Sequence, residues 1–139
     1  GVAEVWPEEL DRLNIHYATL AAMARAVAAL PVVPGHVLVD GRFVPPLAQP
    51  ATALVKGDGL SLSIAAASIV AKHTRDLIMI AAADIHPEYN WHSNKGYGCA
   101  HHMKALRDHG PTPIHRRSFA PVAAAYLTRE GLFAKETTS

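Results

Sequence analysis

The chain reads as an α/β protein, and three observations carry that reading. Apolar residues recur at helical spacing near the N-terminus, two short strand-like runs lie between residues 37 and 55, and an alanine-rich helical block follows from Ile64 to Met79. Helices interleaved with strands predict a layered α/β domain with a sheet covered by helices. At 139 residues the chain fits one domain, large enough to bury roughly two thirds of its unfolded surface without disulfide staples.

The elements follow in order. Pro7, Glu8 and Glu9 form a first helical turn, with proline where its missing N–H costs nothing and acids at the positive end of the helix dipole. Leu10, Leu13, Tyr17, Leu20, Ala24 and Val27 then step by three and four along one stripe, and Pro31 and Pro34 end the pattern. Asn14 can cap a second, main helix inside this span. Val37 to Val39 is β-branched at both ends with no polar alternation, which predicts a central strand covered on both faces. Gly41 follows, and a loop with Pro45, Pro46 and Pro50 returns the chain to a second strand near Thr52 to Val55.

Lys56, Gly57 and Asp58 make a turn, and Ser61 or Ser63 caps the next helix. Its run of Ala65, Ala66, Ala67 and Ala71 predicts a helix buried on several sides. Pro87 ends that region. The loop NKGYG leads into a short helix from about Cys99 to His109, closed by Gly110 and Pro111. A final helix is expected from about Pro121 to Thr128, with residues 135–139 as a disordered tail.

Composition excludes several classes. The only cysteine is Cys99, so no disulfide framework exists and a reducing, cytoplasmic setting is expected. No apolar run reaches the roughly 18 residues that span a bilayer, and no secretion signal is read at the N-terminus, so no membrane partner is expected. Net charge is +1 overall, but residues 1–55 carry three basic and five acidic groups whereas residues 56–119 carry eight and five. A positive face gathers in the second half.

Asp40 ends VLVD where a strand leaves the sheet, and Asp76 lies on the alanine-rich helix, one turn after Lys72 and beside Arg75. Each has a plain structural explanation, Asp40 as a turn acid and Asp76 as half of a surface ion pair worth about 0 to 1 kcal/mol. The apolar setting of Asp76 favours burial, and a buried acid needs a cation, a hydrogen bond or a proton. Hard cations such as Mg²⁺ or Mn²⁺ take oxygen ligands, and phosphodiester hydrolysis often uses two of them held by several carboxylates. Two acids are too few for that set; Asp58 reads as a turn residue, and Glu4 has no pattern that assigns it.

Histidine is abundant at nine residues, yet His101 and His102 point about 100° apart on a helix and have no cysteine pair beside them, which argues against zinc. His115 opens HRRSF as a structural histidine, a phosphate contact or a proton carrier. Arg116 and Arg117 form a solvated basic face or bind phosphate oxygens. Tyr97, between Gly96 and Gly98 and near Lys95, either anchors its loop or stacks on a sugar or base while the backbone comes close.

Taken in order, DRLNIHYATLAAMARAV, VLVDGR, ALVKGD, the IAAASIVAKHTRD block, NKGYG and GPTPIHRRSFAPV resemble ribonuclease HII, the type 2 ribonuclease H family, over about residues 8 to 122. The resemblance implies a ribonuclease H-like α/β fold, a mixed sheet flanked by helices. It implies endonucleolytic cutting of the RNA strand in RNA–DNA hybrids, and incision at ribonucleotides in duplex DNA, by two-metal hydrolysis with Mn²⁺ or Mg²⁺ that leaves a 5′-phosphate and a 3′-hydroxyl. Of the family's four metal-binding carboxylates, two transfer by motif, onto Asp40 and Asp76. The junction-reading tyrosine transfers onto Tyr97, with Lys95, Gly96, Arg116 and Arg117 as nucleic-acid contacts and Lys72 and His115 as neighbours that tune the site.

Departures from the family pattern shape the expectation. The DE.GRGP segment that supplies the other two carboxylates does not occur in this chain. The chain is therefore expected to be truncated at the N-terminus, beginning at the later strand GVAEV, with residues 1–134 a partial catalytic domain. A chain supplying further N-terminal strands is an expected partner. Cys99 stands where the family commonly has Thr, which weakens a helix cap, and RDLIM in place of RDRLM removes a basic group near Asp76. The alternatives are a non-catalytic nucleic-acid-binding remnant, one half of a split enzyme, or a structural, partner-binding domain.

Overall fold

The computed structural model describes residues 1–136, with side chains described through residue 128. Along the chain run α1 (Pro7–Ala28), β1 (Val37–Asp40), β2 (Ala51–Leu54), α2 (Leu62–Ile85), α3 (Trp91–Asn94), α4 (Ala100–His109) and α5 (Ala120–Glu136). They divide into two compact units, one from Gly1 to Thr74 and one from Arg75 onward. No helix among the described residues is long and apolar enough to cross a membrane.

In the first unit, α1 breaks at Asn14, whose backbone is non-helical at φ 65° and ψ 166°. The Asn14 Oδ1 accepts the N–H groups of His16 at 3.0 Å and Tyr17 at 3.3 Å, capping the second segment as its sequence position predicts. Glu9, before the break, takes a two-pronged bond from the Arg25 guanidinium near the helix end, at 2.8 and 2.5 Å. That guanidinium holds the Glu9 carboxyl below its ordinary pKa.

β1 and β2 pair in parallel, Val37 with Ala51 through Asp40 with Leu54, and the proline-bearing loop makes the return. The described residues thus contain a two-stranded parallel sheet, smaller than the mixed sheet expected. The expected central strand also needs correction. Val39 is buried but Leu38 is 42 % exposed, because β1 has one covered face. GVAEV takes no strand among the described residues. Ala18, Val39 and Ile64 are the buried apolar residues here, and an apolar groove of about 660 Å³ runs beside β1, lined by Ala22, Val27, Leu38, Ala67 and Val70 among others.

The alanine-rich helix is the second correction. α2 starts after Ser61, whose carbonyl accepts the Ala65 N–H at 2.9 Å, but it is not buried on several sides. Ile69 is 71 % exposed and Val70 52 %, so the small residues leave large apolar ones in solvent. The alanine run records helix propensity, which is strong whether or not the helix is covered.

The second unit has a denser core. Ala83 of α2, Tyr89, Trp91, Ala105 and Leu106 of α4, and Val122 of α5 form one buried cluster. The Tyr89 and Trp91 rings stack 4.8 Å apart at 17°, and the Tyr89 hydroxyl donates to the Gly110 carbonyl. α4 ends at Gly110, whose positive φ of 80° suits glycine, the stop expected from its sequence. α5 begins one residue before the expected start and continues to Glu136, so residues 135 and 136 are helical backbone; residues 137–139 of the expected tail lie outside the described residues.

Candidate functional site

Asp40 sits at the carboxyl end of β1, where parallel strands commonly present ligand-binding groups. Its side chain is exposed at the strand end, but one oxygen is committed: Asp40 Oδ1 accepts the buried Gly57 N–H at 2.8 Å. The tight VKGD turn makes this reach available. A Cβ at Gly57 would stand 2.6 Å from Ile64 Cδ1 and 3.2 Å from Leu54 Cβ, so a larger residue must displace the buried Ile64 side chain to bring its N–H in that close. Asp58 bonds the Gly59 N–H at 3.0 Å, which is the turn role read from the sequence. Asp40 also lines a cleft of about 280 Å³ with His16, Thr19, Arg42 and Phe43.

Asp76 lies on α2 in the second unit, partly buried, with its Oδ1 withdrawn from solvent. Lys72 is exposed on the same helix, within the first unit. Among the described residues, no group of three or more His, Cys, Asp or Glu side chains is arranged to hold a metal ion. The carboxylates Asp40 and Asp76 are hard oxygen donors of the kind Mg²⁺ or Mn²⁺ takes, so they fit in type but fall short in number.

The NKGYG loop is built with more internal bonding than its sequence reveals. Asn94 Nδ2 donates to the Tyr89 carbonyl at 2.7 Å while its Oδ1 accepts the Gly96 N–H at 2.9 Å. Lys95 at φ 48° and Gly96 at φ 79° turn the backbone through the left-handed region, and a Cβ at Gly96 would stand 2.9 Å from Met79 Cε. Lys95 turns its ammonium back onto the His92 carbonyl. Tyr97 leaves this turn 59 % exposed, with the Arg75 guanidinium 4.9 Å from its ring centroid. The same guanidinium donates to the Lys95 carbonyl at 2.8 Å, so Arg75 ties ring and loop to α2.

Arg116 and Arg117 both stand over aromatic rings, Phe119 at 5.5 Å and Tyr126 at 4.7 Å. These stacks hold the two guanidinium groups over aromatic rings. His115 is buried, not on the basic face. Its Nε2 lies 3.0 Å from His102 Nε2, and its Nδ1 accepts the Thr112 N–H at 3.0 Å. Burial, with His102 and His86 nearby, pushes the His115 imidazole down to about 4. It is a neutral ring at physiological pH.

The sequence model of the family described as ribonuclease HII matches residues 4–122. The chain belongs to the ribonuclease HII family. Among its relatives, the ribonuclease HII of Dichelobacter nodosus is 54 % identical over 126 residues, covering 89 % of this chain and 67 % of that protein. That of Sphingopyxis alaskensis is 55 % identical over 127 residues, covering 91 % and 64 %, and that of Paracidovorax citrulli is 57 % identical over 125, covering 90 % and 52 %. The chain thus spans between about half and two thirds of the length of these ribonuclease HII relatives.

Sequence reasoning missed two residues of this site. In the sequence nothing sets Arg75 apart from a charge beside Asp76, or His102 from the neighbour of His101. Arg75 sits 22 residues before Tyr97 and His102 13 before His115, and no periodicity links positions that meet only through a turn.

Proposed function

We propose that this chain carries the nucleic-acid-cutting function of the ribonuclease HII family: metal-dependent endonucleolytic hydrolysis of the RNA strand in RNA–DNA hybrids, and incision at ribonucleotides in duplex DNA. The observation that supports it most is the setting of Tyr97, an exposed ring on a glycine-flanked turn, braced by Arg75. A planar ring held this way stacks on the sugar of a ribonucleotide while Gly96 lets the strand approach the backbone. Arg116 and Arg117 contribute donors for phosphate oxygens, and Lys95 joins them once its ammonium leaves the His92 carbonyl.

By motif, Asp40 and Asp76 each offer a carboxylate to Mn²⁺ or Mg²⁺, with Lys72 as a charge on the helix of Asp76 and His115 supporting the Tyr97 loop from behind. A divalent cation bound there would lower the pKa of a water and offset the negative charge of the phosphate, giving a 5′-phosphate and a 3′-hydroxyl. Because two carboxylates do not make a two-cation site, further oxygen donors are required from outside the described residues, a second chain being one source. Activity of the chain by itself is therefore low. A cytoplasmic setting agrees with Cys99 as an unpaired thiol.

The test is cleavage of a duplex containing one ribonucleotide in the presence of Mn²⁺. Cutting that disappears in both Asp40→Asn and Asp76→Asn supports the enzyme, and cutting that survives both substitutions refutes the assignment of these carboxylates. The short donor set favours a second reading, a nucleic-acid-binding chain without catalysis. Salt-sensitive binding with no cleavage at any Mn²⁺ concentration would select it.

A further inference from the structure

Behind the Tyr97 loop lies a chain of hydrogen bonds in which every proton has one place to be. Thr112 presents both its N–H, at 3.0 Å, and its hydroxyl, at 2.8 Å, to His115 Nδ1, so that nitrogen is an acceptor. The ring proton of His115 then sits on Nε2 and points at His102 Nε2, 3.0 Å away. His102 accepts there and carries its own proton on Nδ1, which donates to the Tyr97 carbonyl at 3.1 Å. That carbonyl also accepts the Cys99 N–H at 2.8 Å, so both of its lone pairs are used. Both imidazoles are buried, with the Tyr89 ring 5.7 Å from His102 and 4.9 Å from His115.

We propose that His102 is a positioning residue for substrate reading, held in one tautomer by His115 so that its Nδ1–H fixes the Tyr97 backbone and aims the exposed ring. The proposal rests on Tyr97 being the residue that meets the ribonucleotide. Arg75 fixes the ring from the α2 side and His102 fixes the backbone from the α4 side, so the loop is clamped between two elements of one unit. A second proton on the histidine pair would set two N–H groups against each other across 3.0 Å and release the clamp. Of the other titratable and charged groups near the pair, His86 also bears on the His115 ring, and each has a partner of its own. His86 is paired with Glu88 at 3.5 Å, His101 meets the Glu88 carbonyl at 3.2 Å, the Tyr89 hydroxyl is on the Gly110 carbonyl, and the two arginines lie over Phe119 and Tyr126.

Two substitutions separate positioning from mere packing. In His102→Asn the side-chain amide nitrogen takes the place of Nδ1 and keeps the bond to Tyr97, whereas His102→Gln keeps an acceptor for His115 and loses that bond. Expected is a loss of affinity for a duplex bearing one ribonucleotide in His102→Gln of roughly three- to tenfold, the size of one hydrogen bond, with His102→Asn near the parent. Amide exchange at Cys99 should quicken in the Gln variant and not in the Asn variant. Nitrogen-15 spectra of the unmodified chain, which need no variant to fold, should place the protons on His115 Nε2 and His102 Nδ1. They should also show Cys99 exchange protection lost together with that signature as acid is added.

The opposite tautomers, or equal Cys99 exchange in the two variants, would overturn the proposal. A parent chain that binds ribonucleotide-containing and all-DNA duplexes equally refutes the substrate reading alone. The tautomers and the exchange contrast then still decide whether His102 positions the loop.

Discussion

Gly57 donates its backbone N–H to Asp40 Oδ1 at 2.8 Å, joining the end of β1 to the turn after β2. The bond orients the strand-end acid proposed to meet a cation, so the fold and the proposed chemistry would share a carboxylate. Asp40→Ala leaves a buried N–H without an acceptor and should cost about 1 to 3 kcal/mol, whereas Asp40→Asn keeps an acceptor and should cost about 1 kcal/mol or less. Urea midpoints of the two variants check this. Equal losses would mean that the bond contributes nothing to the fold.

Gly57→Ala should be destabilising through overpacking. The added methyl meets Ile64 Cδ1 at 2.6 Å and Leu54 Cβ at 3.2 Å, and Ile64 is itself buried, so about 1 to 3 kcal/mol is expected from the same urea series.

Stability should fall in mild acid because of His115. Its folded pKa, about 4, lies below the ordinary value of 6.5, so the unfolded chain binds the extra proton more readily. The contribution is fully present above about pH 6.5 and is lost as the pH drops toward 4, up to about 3 kcal/mol for this one ring. Thermal midpoints across that window should decline in the parent and flatten in His115→Gln.

Tyr97→Ala should weaken binding to a ribonucleotide-containing duplex by about 1 to 3 kcal/mol, the range for an aromatic stack on nucleic acid. Arg75→Ala should weaken it less, since the ring stays but loses its brace. Titration with a fluorescent duplex measures both, and an unchanged Tyr97→Ala affinity would remove that ring from the interface.

Cys99 precedes α4 without a side-chain bond to cap it. Cys99→Thr should add about 1 kcal/mol in chemical denaturation by supplying the missing acceptor for the first-turn N–H groups.

Local chemistry was legible in the sequence where the cause is local. Asn14 as a cap within a helix, the turn of Lys56, Gly57 and Asp58 and the Gly110 stop all follow from backbone preferences of single residues, and the structure has each of them. The motif order also led to the right family. Burial was less legible. The alanines of α2 and the apolar VLV run gave no sign of which faces are covered, because the same residues suit a helix or strand in the core and one at its margin. The contacts on Tyr97 were invisible for a different reason: Arg75 meets its ring face and His102 its backbone carbonyl, which leave no pattern in side-chain identity.

The bare apolar side chains of α2 have a practical outcome at the bench. Leu62 and Ile85 stand 86 % and 75 % exposed near its two ends, with Ile69 and Val70 between them. A hydrophobic dye such as ANS, usually taken as a reporter of loosened packing, will find oily surface on the intact chain and glow before anything has melted. Dye-based melting curves for this protein should start bright and slope downward, and circular dichroism is the sounder thermometer.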